Sequence, residues 1–211
     1  MSAASIRRFR LLCAALMLAA LGGCLSLIKE PDPIATYSLR PETAADDGWK
    51  SADWALTVIR PNTSAFLDTN RIAVRPEPNV LQVYKGANWS DTLPDLVQTA
   101  VVEGFENSGK IKTVSRQNSG VPAEVALLLD IREFEAVYAP GARIPAASIR
   151  IHAKLLQYPS NRVIAIRTFS TDVPAASKRI PDVIQAFERG MARINGEIVG
   201  WSLANGHGKA K

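Results

Sequence analysis

The sequence is poor in the residues that carry most enzyme chemistry. Its 211 residues include two cysteines, Cys13 and Cys24, and two histidines, His152 and His207. A catalytic base must sit within hydrogen-bond reach of the proton it takes. His152 alternates outward from an apolar strand pattern and His207 lies in a polar tail, so neither has an evident partner. Metal sites need several convergent ligands, and two distant histidines make a poor start. Glu133 and Glu135 lie two apart and share a strand face, which reads first as a solvated edge. Gly206-His207-Gly208-Lys209 lacks the strand before it and the helix after it that would make a phosphate loop. The residues thus point to no catalytic group, no metal and no cofactor.

Long apolar runs are also lacking. The longest, Leu11–Leu21, has eleven residues. As a helix it would measure about 16 Å, against a hydrocarbon core of ~30 Å. Arg7, Arg8 and Arg10 precede it, no acidic residue comes before Glu30, and Gly22 and Gly23 follow. A charged start, a short apolar stretch and small residues at its end read as a secretory signal over residues 1–23. An uncleaved N-terminal helix that runs on to Ile28 is the alternative.

Leu21-Gly22-Gly23-Cys24 resembles a bacterial lipobox, in which the chain is cut before the cysteine and the thiol takes the lipid. The resemblance implies acylation of Cys24, palmitate included. Each buried CH₂ adds about 0.8 kcal/mol, so several acyl chains anchor a protein to the membrane for good. Leu25, rather than Asp, follows the cysteine, which by resemblance to known sorting implies the outer membrane of a Gram-negative envelope, periplasmic face. Cleavage at this point settles two further matters. The excess of positive charge falls from +5 to +2, because three of the 25 Lys and Arg leave (25 − 3 = 22) while all 20 Asp and Glu stay. A basic footprint for nucleic acid is therefore missing. No free thiol remains, so no disulfide is expected.

Residues 24–53 are rich in Pro, Asp, Glu, Ala and Thr and read as a lipidated tether, with one extended patch at Tyr37-Ser38-Leu39. A flexible chain of about thirty residues reaches near 30 Å. The folded part is expected from residue 54 to 205, with a frayed tail at 206–211. WALTVIR (54–60), RIAVR (71–75) and VLQVY (80–84) read as strands, the last two as a hairpin across Pro76–Asn79. Ser90 or Asp91 can cap a helix whose apolar face is Leu93, Leu96, Val97, Ala100, Val101, Gly104 and Phe105. Gly109 ends it, and Ile111–Val114 follows as a short strand. Val125 to Ile131 alternates, with a bulge expected at Glu133-Phe134. Ile149–Leu155 and Val163–Thr171, joined at Pro159–Asn161, read as an antiparallel pair. A closing helix over Pro181–Leu203 carries a seam of Ile180, Ile184, Phe187, Met191, Ile194, Ile198 and Trp201. The fold class is α+β: one mixed or antiparallel sheet with two main helices packed on it. The core should include Leu96, Val101, Phe105, Leu127, Leu129, Ile151, Leu155, Ile184 and Phe187. The helix seam packs on the sheet, or part of it, with Gly196, Gly200 and Trp201, meets a partner or a second copy.

From Leu56 to Ile111 the sequence resembles the ABC-type transport auxiliary lipoproteins, the PqiC-like family. The matching positions are Cys24, Tyr37 with Leu39, Pro61, Leu67-Asp68, Arg71-Ile72, Arg75, Tyr84, Trp89, and Leu93 with Pro94. Physically these read as structural. Asp68 can accept backbone N–H bonds in a turn. Arg71 and Arg75 share a strand face and can pair with Asp68, Asp91 or Asp95, and Trp89 closes over the helix start. The resemblance implies a periplasmic accessory of an Mce-type system that moves phospholipid or sterol between membranes. It implies an Mce-domain protein as partner and no enzyme activity. A structural or regulatory envelope lipoprotein unrelated to transport is the competing class, and a hydrolase the third.

Overall fold

A computed structural model describes residues 33–206. Residues 34 onward form one compact unit. The N-terminal signal, Cys24 and His207 lie outside the described residues. The strands are β1 (Ala35–Tyr37), β2 (Ala52–Val58), β3 (Asn62–Thr63), β4 (Arg71–Glu77), β5 (Val80–Trp89), β6 (Ile111–Arg116), β7 (Val125–Val137), β8 (Ala146–Gln157) and β9 (Arg162–Pro174). The helices are α1 (Leu93–Ser108), between β5 and β6, and α2 (Ile180–Asn205), after β9. The class is α+β as expected: one mixed sheet with both helices packed on it.

β7 is the axis of the sheet. Along one edge it carries β2, β3 and β4 in turn, all parallel, with Leu56 beside Val125, Asn62 beside Asp130 and Val74 beside Ala136. Along the other edge β8 runs antiparallel from Gln157 beside Val125 to Ala146 beside Val137. β9 continues the sheet antiparallel to β8. β6 flanks β2 in parallel, and β5 pairs antiparallel with β4. The strand break falls at Arg132, one residue before the expected place: Ile131 faces Ile151 and Glu133 faces Arg150, which leaves Arg132 as the extra residue. A bulge restarts the in–out alternation, so Ile131 and Phe134 both point into the core.

Both helices start and stop for local reasons. Thr92, rather than Ser90 or Asp91, holds the cap position of α1. The Asp91 carboxylate accepts the Thr92 N–H instead, at 2.7 Å. Pro94 fits the first turn, where the missing N–H costs nothing. Gly109 takes φ 60° and its N–H reaches Glu106 O, which closes the helix. α2 likewise carries a proline in its first turn, Pro181, and its buried stripe contains Ile184, Phe187, Met191, Ile194 and Ile198. The seam ends, Ile180 and Trp201, are half-buried. The expected core is buried throughout except for Leu96, which is half-buried on the outer shoulder of α1.

Three aromatic rings join the layers. Phe134 of β7 stacks on Phe187 of α2, with centroids 4.9 Å apart and planes 5° apart. Trp89, at the end of β5, stands edge-on to both, 6.2 Å from Phe134 and 5.6 Å from Phe187. Such pairs add about 0.5–1.5 kcal/mol beyond the area they bury.

The folded unit begins earlier than the sequence suggests. The sequence reading places residues 24–53 in a tether, but residues 35–53 sit on the domain. β1 pairs in parallel with β5, Ala35 beside Ala87 and Tyr37 beside Trp89. Leu39 is buried. The physical reason is the free edge of β5, whose backbone groups a short extended segment satisfies without any apolar periodicity of its own.

Phe105 is fully buried. Phe105→Ala should lower unfolding stability by about 3–5 kcal/mol. Chemical denaturation checks this; a loss below about 1 kcal/mol would put that helix face on the surface.

Candidate functional site

The chain between β1 and β2 crosses the helix layer as a strap. The amide of Asn195, buried in α2, holds its middle: Nδ2 donates to Thr43 Oγ1 at 2.9 Å and to the carbonyl of Ala100 in α1 at 2.7 Å. One amide thus ties the strap to both helices. Gly104 of α1 makes room for it, since a Cβ there would lie 2.5 Å from Asn195 Nδ2. Further along, the Trp49 indole rests on Gly200, where a Cβ would lie 2.6 Å from Nε1. At Gly196 the nearest strap atoms stand 3.8 Å from a built Cβ. The sequence reading offers Gly196, Gly200 and Trp201 as a partner or self-association surface. The structure gives the close approach at Gly200 to a segment of the same chain.

Between the strap and α2 lies an open groove of about 870 Å³, lined by Thr43, Trp49, Arg167, Arg193, Glu197 and Trp201 among others. Its wall is pre-formed. Trp201 meets Phe169 edge-on at 5.6 Å. The Arg167 guanidinium sits over the Phe169 ring, 4.9 Å from its centroid, and 3.5 Å from Glu197. Arg193 donates to Thr171 Oγ1 at 3.0 Å.

The charged residues marked in the sequence are held in separate clusters. Arg60, which the sequence reading leaves out, is the hub of the first. Its Nε and Nη2 donate to Asp95 at 2.9 and 3.1 Å, and Nη2 also reaches Asp68 at 2.8 Å and Thr92 Oγ1 at 3.1 Å. Thr92 Oγ1 donates in turn to Asp95. Arg60 holds the Asp95 carboxyl below the usual carboxylate range, against the smaller opposing effect of burial. Arg75 forms the second cluster, with Nε and Nη2 at 2.7 and 2.6 Å from Glu135, a buried carboxylate of β7. Arg71 is exposed, pairs with Asn88 in the β4–β5 ladder, and donates its backbone N–H to Thr69 Oγ1 at 3.1 Å. Neither Arg71 nor Arg75 therefore meets Asp68, Asp91 or Asp95. Trp89 is buried, and its N–H donates to Asn70 O. Glu133 pairs with Arg150 at 3.3 Å, so the two β7 glutamates hold different arginines. His152 shares a 2.8 Å hydrogen bond with Thr168 on the open sheet face.

One end of the sheet exposes large apolar side chains among polar neighbours. Tyr158 in the β8–β9 turn and Val121 in the β6–β7 loop flank a cavity of about 350 Å³. They are 51% and 44% exposed. Val163 and Ile166 of β9, next along the chain, are 48% and 56% exposed.

A family model described as the ABC-type transport auxiliary lipoprotein component matches residues 37–199. The chain belongs to that family. The match starts at Tyr37, inside β1, and so takes in the strap as part of the ABC-type transport auxiliary domain. Protein XCC0632 from Xanthomonas campestris has a crystal structure that is similar at a TM-score of 0.78 and 38% identity, covering 82% of this chain and 96% of that one. A second solved structure, described only as an uncharacterized protein, is similar at a TM-score of 0.62 and 12% identity, covering 79% of this chain and 97% of that one, which shows a shared fold. The uncharacterized protein bll6063 of Bradyrhizobium diazoefficiens is 26% identical over 171 residues. The match takes in 80% of this chain and only 44% of that relative's length. The family is one of lipoproteins that serve transport systems as accessory components. Among the described residues no helix is long and apolar enough to cross a membrane.

Two expectations follow. Gly200→Ala should force Trp49 off α2 and cost about 1–3 kcal/mol. Gly196→Ala should be neutral or stabilise by up to about 1 kcal/mol, through helix propensity. Equal effects in denaturation experiments, or an unmoved Trp49 fluorescence in Gly200→Ala, would contradict the strap packing. The second concerns acid. A carboxyl held down by Arg60 in the folded state adds stability that is complete above its ordinary pKa, about 4, and is lost as pH falls through the lower folded value. Asp95→Asn should therefore lower stability at pH 7 and flatten its decline below about pH 4, read from denaturation midpoints across pH.

Proposed function

We propose that this protein is an outer-membrane lipoprotein, anchored by acylated Cys24, that acts as the periplasmic accessory of an Mce-type lipid transport system by binding an Mce-domain protein rather than by catalysis. The observation that carries the reading is the family match over residues 37–199, which takes in the segment seated on the helices by Thr43 and Trp49. In a lipoprotein of a transport-accessory family this makes the domain a module held close to its anchor. From Cys24 to Pro33 the linker has about ten residues. Ten residues span at most ~35 Å when fully extended. Tethering of this kind raises the effective concentration of a binding surface, so modest intrinsic affinity suffices.

The exposed end around Tyr158, Val121 and Ile166 is the surface offered to the partner. The ion pairs of Arg60, Arg75 and Glu133 hold the fold. Asp68, Arg75 and Trp89 then act as scaffold positions.

The experiment is complementation of a deletion strain. Cys24→Ala with an ordinary cleavable secretion signal should yield a folded, periplasmic and unanchored domain that fails to restore lipid transport or envelope integrity. Wild-type protein should co-purify an Mce-domain partner from membranes, and Tyr158→Asp should reduce its yield. Full rescue by the unanchored domain, or membranes that yield no Mce-domain partner, would overturn the proposal.

A further inference from the structure

The chain joins the domain with a definite polarity. β1 runs parallel to β5, Ala35 beside Ala87, and β5 starts at the two-residue tip Pro78-Asn79. Ile34, just before Ala35, therefore stands on the side of β1 nearer that tip. Two other segments gather at the same end. The β7–β8 loop, 138–145, lies there because Val137 pairs with Ala146 and Tyr138 N donates to Arg75 O. The lead-in to α2 lies there because Ala175 N donates to Pro145 O.

This end has the makings of a membrane contact. Leu81 beside the hairpin tip and Ile144 in the loop are 41% and 46% exposed, and Ile34, where the chain joins, is 61% exposed. Arg143 and Lys178 are exposed here too. The cation Arg179 is held by Asp182 at 3.2 Å, and Glu77 is the acidic residue of the hairpin itself. We infer that this end of the domain lies on the phospholipid surface of the membrane that holds the acyl chains, with Leu81 and Ile144 as apolar tips and Arg143 and Lys178 on the headgroups.

The length of the linker favours this end over the other. The inference rests on Cys24 being the anchor. From the level of Ile34 to the hairpin tip is about six residues of β5, roughly 20 Å. Ten linker residues span at most ~35 Å, which is about 15 Å more than the distance to the level of the tip. The opposite end, with Tyr158 and Val121, lies about nine residues of β7 in the other direction, roughly 30 Å. Seating that end on the membrane would need the whole linker stretched along the domain. Apolar tips flanked by cations suit an anionic phospholipid surface, and a contact too weak to act alone is sufficient once the anchor holds the domain nearby.

The test uses the lipidated full-length protein in vesicles of phosphatidylethanolamine and phosphatidylglycerol that carry a lipid-borne fluorescence quencher. An acylated Cys24 has no free thiol, so Leu81→Cys, Ile144→Cys and Tyr158→Cys each take one dye. Thermal melts matched to wild type confirm that each variant is folded. Labels at 81 and 144 should be quenched several-fold more than the label at 158. Equal quenching at the three sites, or stronger quenching at 158, overturns the orientation. A dye shift at 144 that grows with protein concentration in detergent, without quencher lipid, assigns this end to a second copy and also overturns it. If wild-type protein itself takes the dye at Cys24, the anchor reading fails, which is a result distinct from a misplaced end.

Discussion

β7 can hold the sheet together only if both of its edges are occupied along their whole length. A thirteen-residue strand exposes a row of backbone donors and acceptors on each side, and unpaired buried groups of this kind cost about 1–3 kcal/mol each. One edge is satisfied by β8 alone. The other is satisfied by three short strands laid end to end, β2, β3 and β4. These run in the same direction as β7 and follow one another in sequence, so the chain continues along this edge, and the surplus residues between β3 and β4 loop out of the sheet. The turn at 64–70 is one such excursion. It explains why Arg60, Asp68 and Asp95 come together: they clamp the excursion to the start of α1.

The aromatic cluster follows from the same strand. The bulge at Arg132 resets the alternation of β7 so that Phe134 points inward against Phe187 and Trp89. Without the extra residue Phe134 would face the open side and Glu133 the core. The bulge also leaves Glu135 buried on the opposite side of the strand, where Arg75 neutralises it. Removing one partner of such a pair is more damaging than the pair is stabilising, because a charge is then left alone in the interior.

Much of this was legible in the sequence because the strong signals are local. The α2 seam repeats by fours and threes, α1 has a proline start and a glycine stop, and Ile149 to Leu155 alternates cleanly. What was illegible rests on long-range contacts. Nothing in residues 35–53 is periodic, and Leu39 and Trp49 stand alone among polar neighbours. Their burial depends on a free β5 edge and on glycines some 150 residues away. Arg60 was missed for a related reason. Its two carboxylates lie 8 and 35 residues on, while Arg71 and Arg75 sit nearer to the same aspartates in sequence and on one strand pattern. The one available hint was position, an arginine at a strand end just before Pro61. Asn195 gave a similar hint, as a polar residue beside the buried Ile194 of an otherwise apolar seam.

Many charged and glycine positions are thus occupied in holding the fold. Arg60 secures a turn, Arg75 neutralises a buried glutamate, and Gly200 receives a tryptophan from the strap. What the domain leaves available is of a different kind: two apolar ends set along the strand direction and a groove beside α2. The strap matters to both ends. Thr43 and Trp49 fasten it to α2, Asn195 ties that contact to α1, and β1 joins it to β5. A pull on the linker is therefore borne by the sheet and both helices together rather than by a fraying terminus. A domain built this way keeps its two ends in fixed relation to the strap.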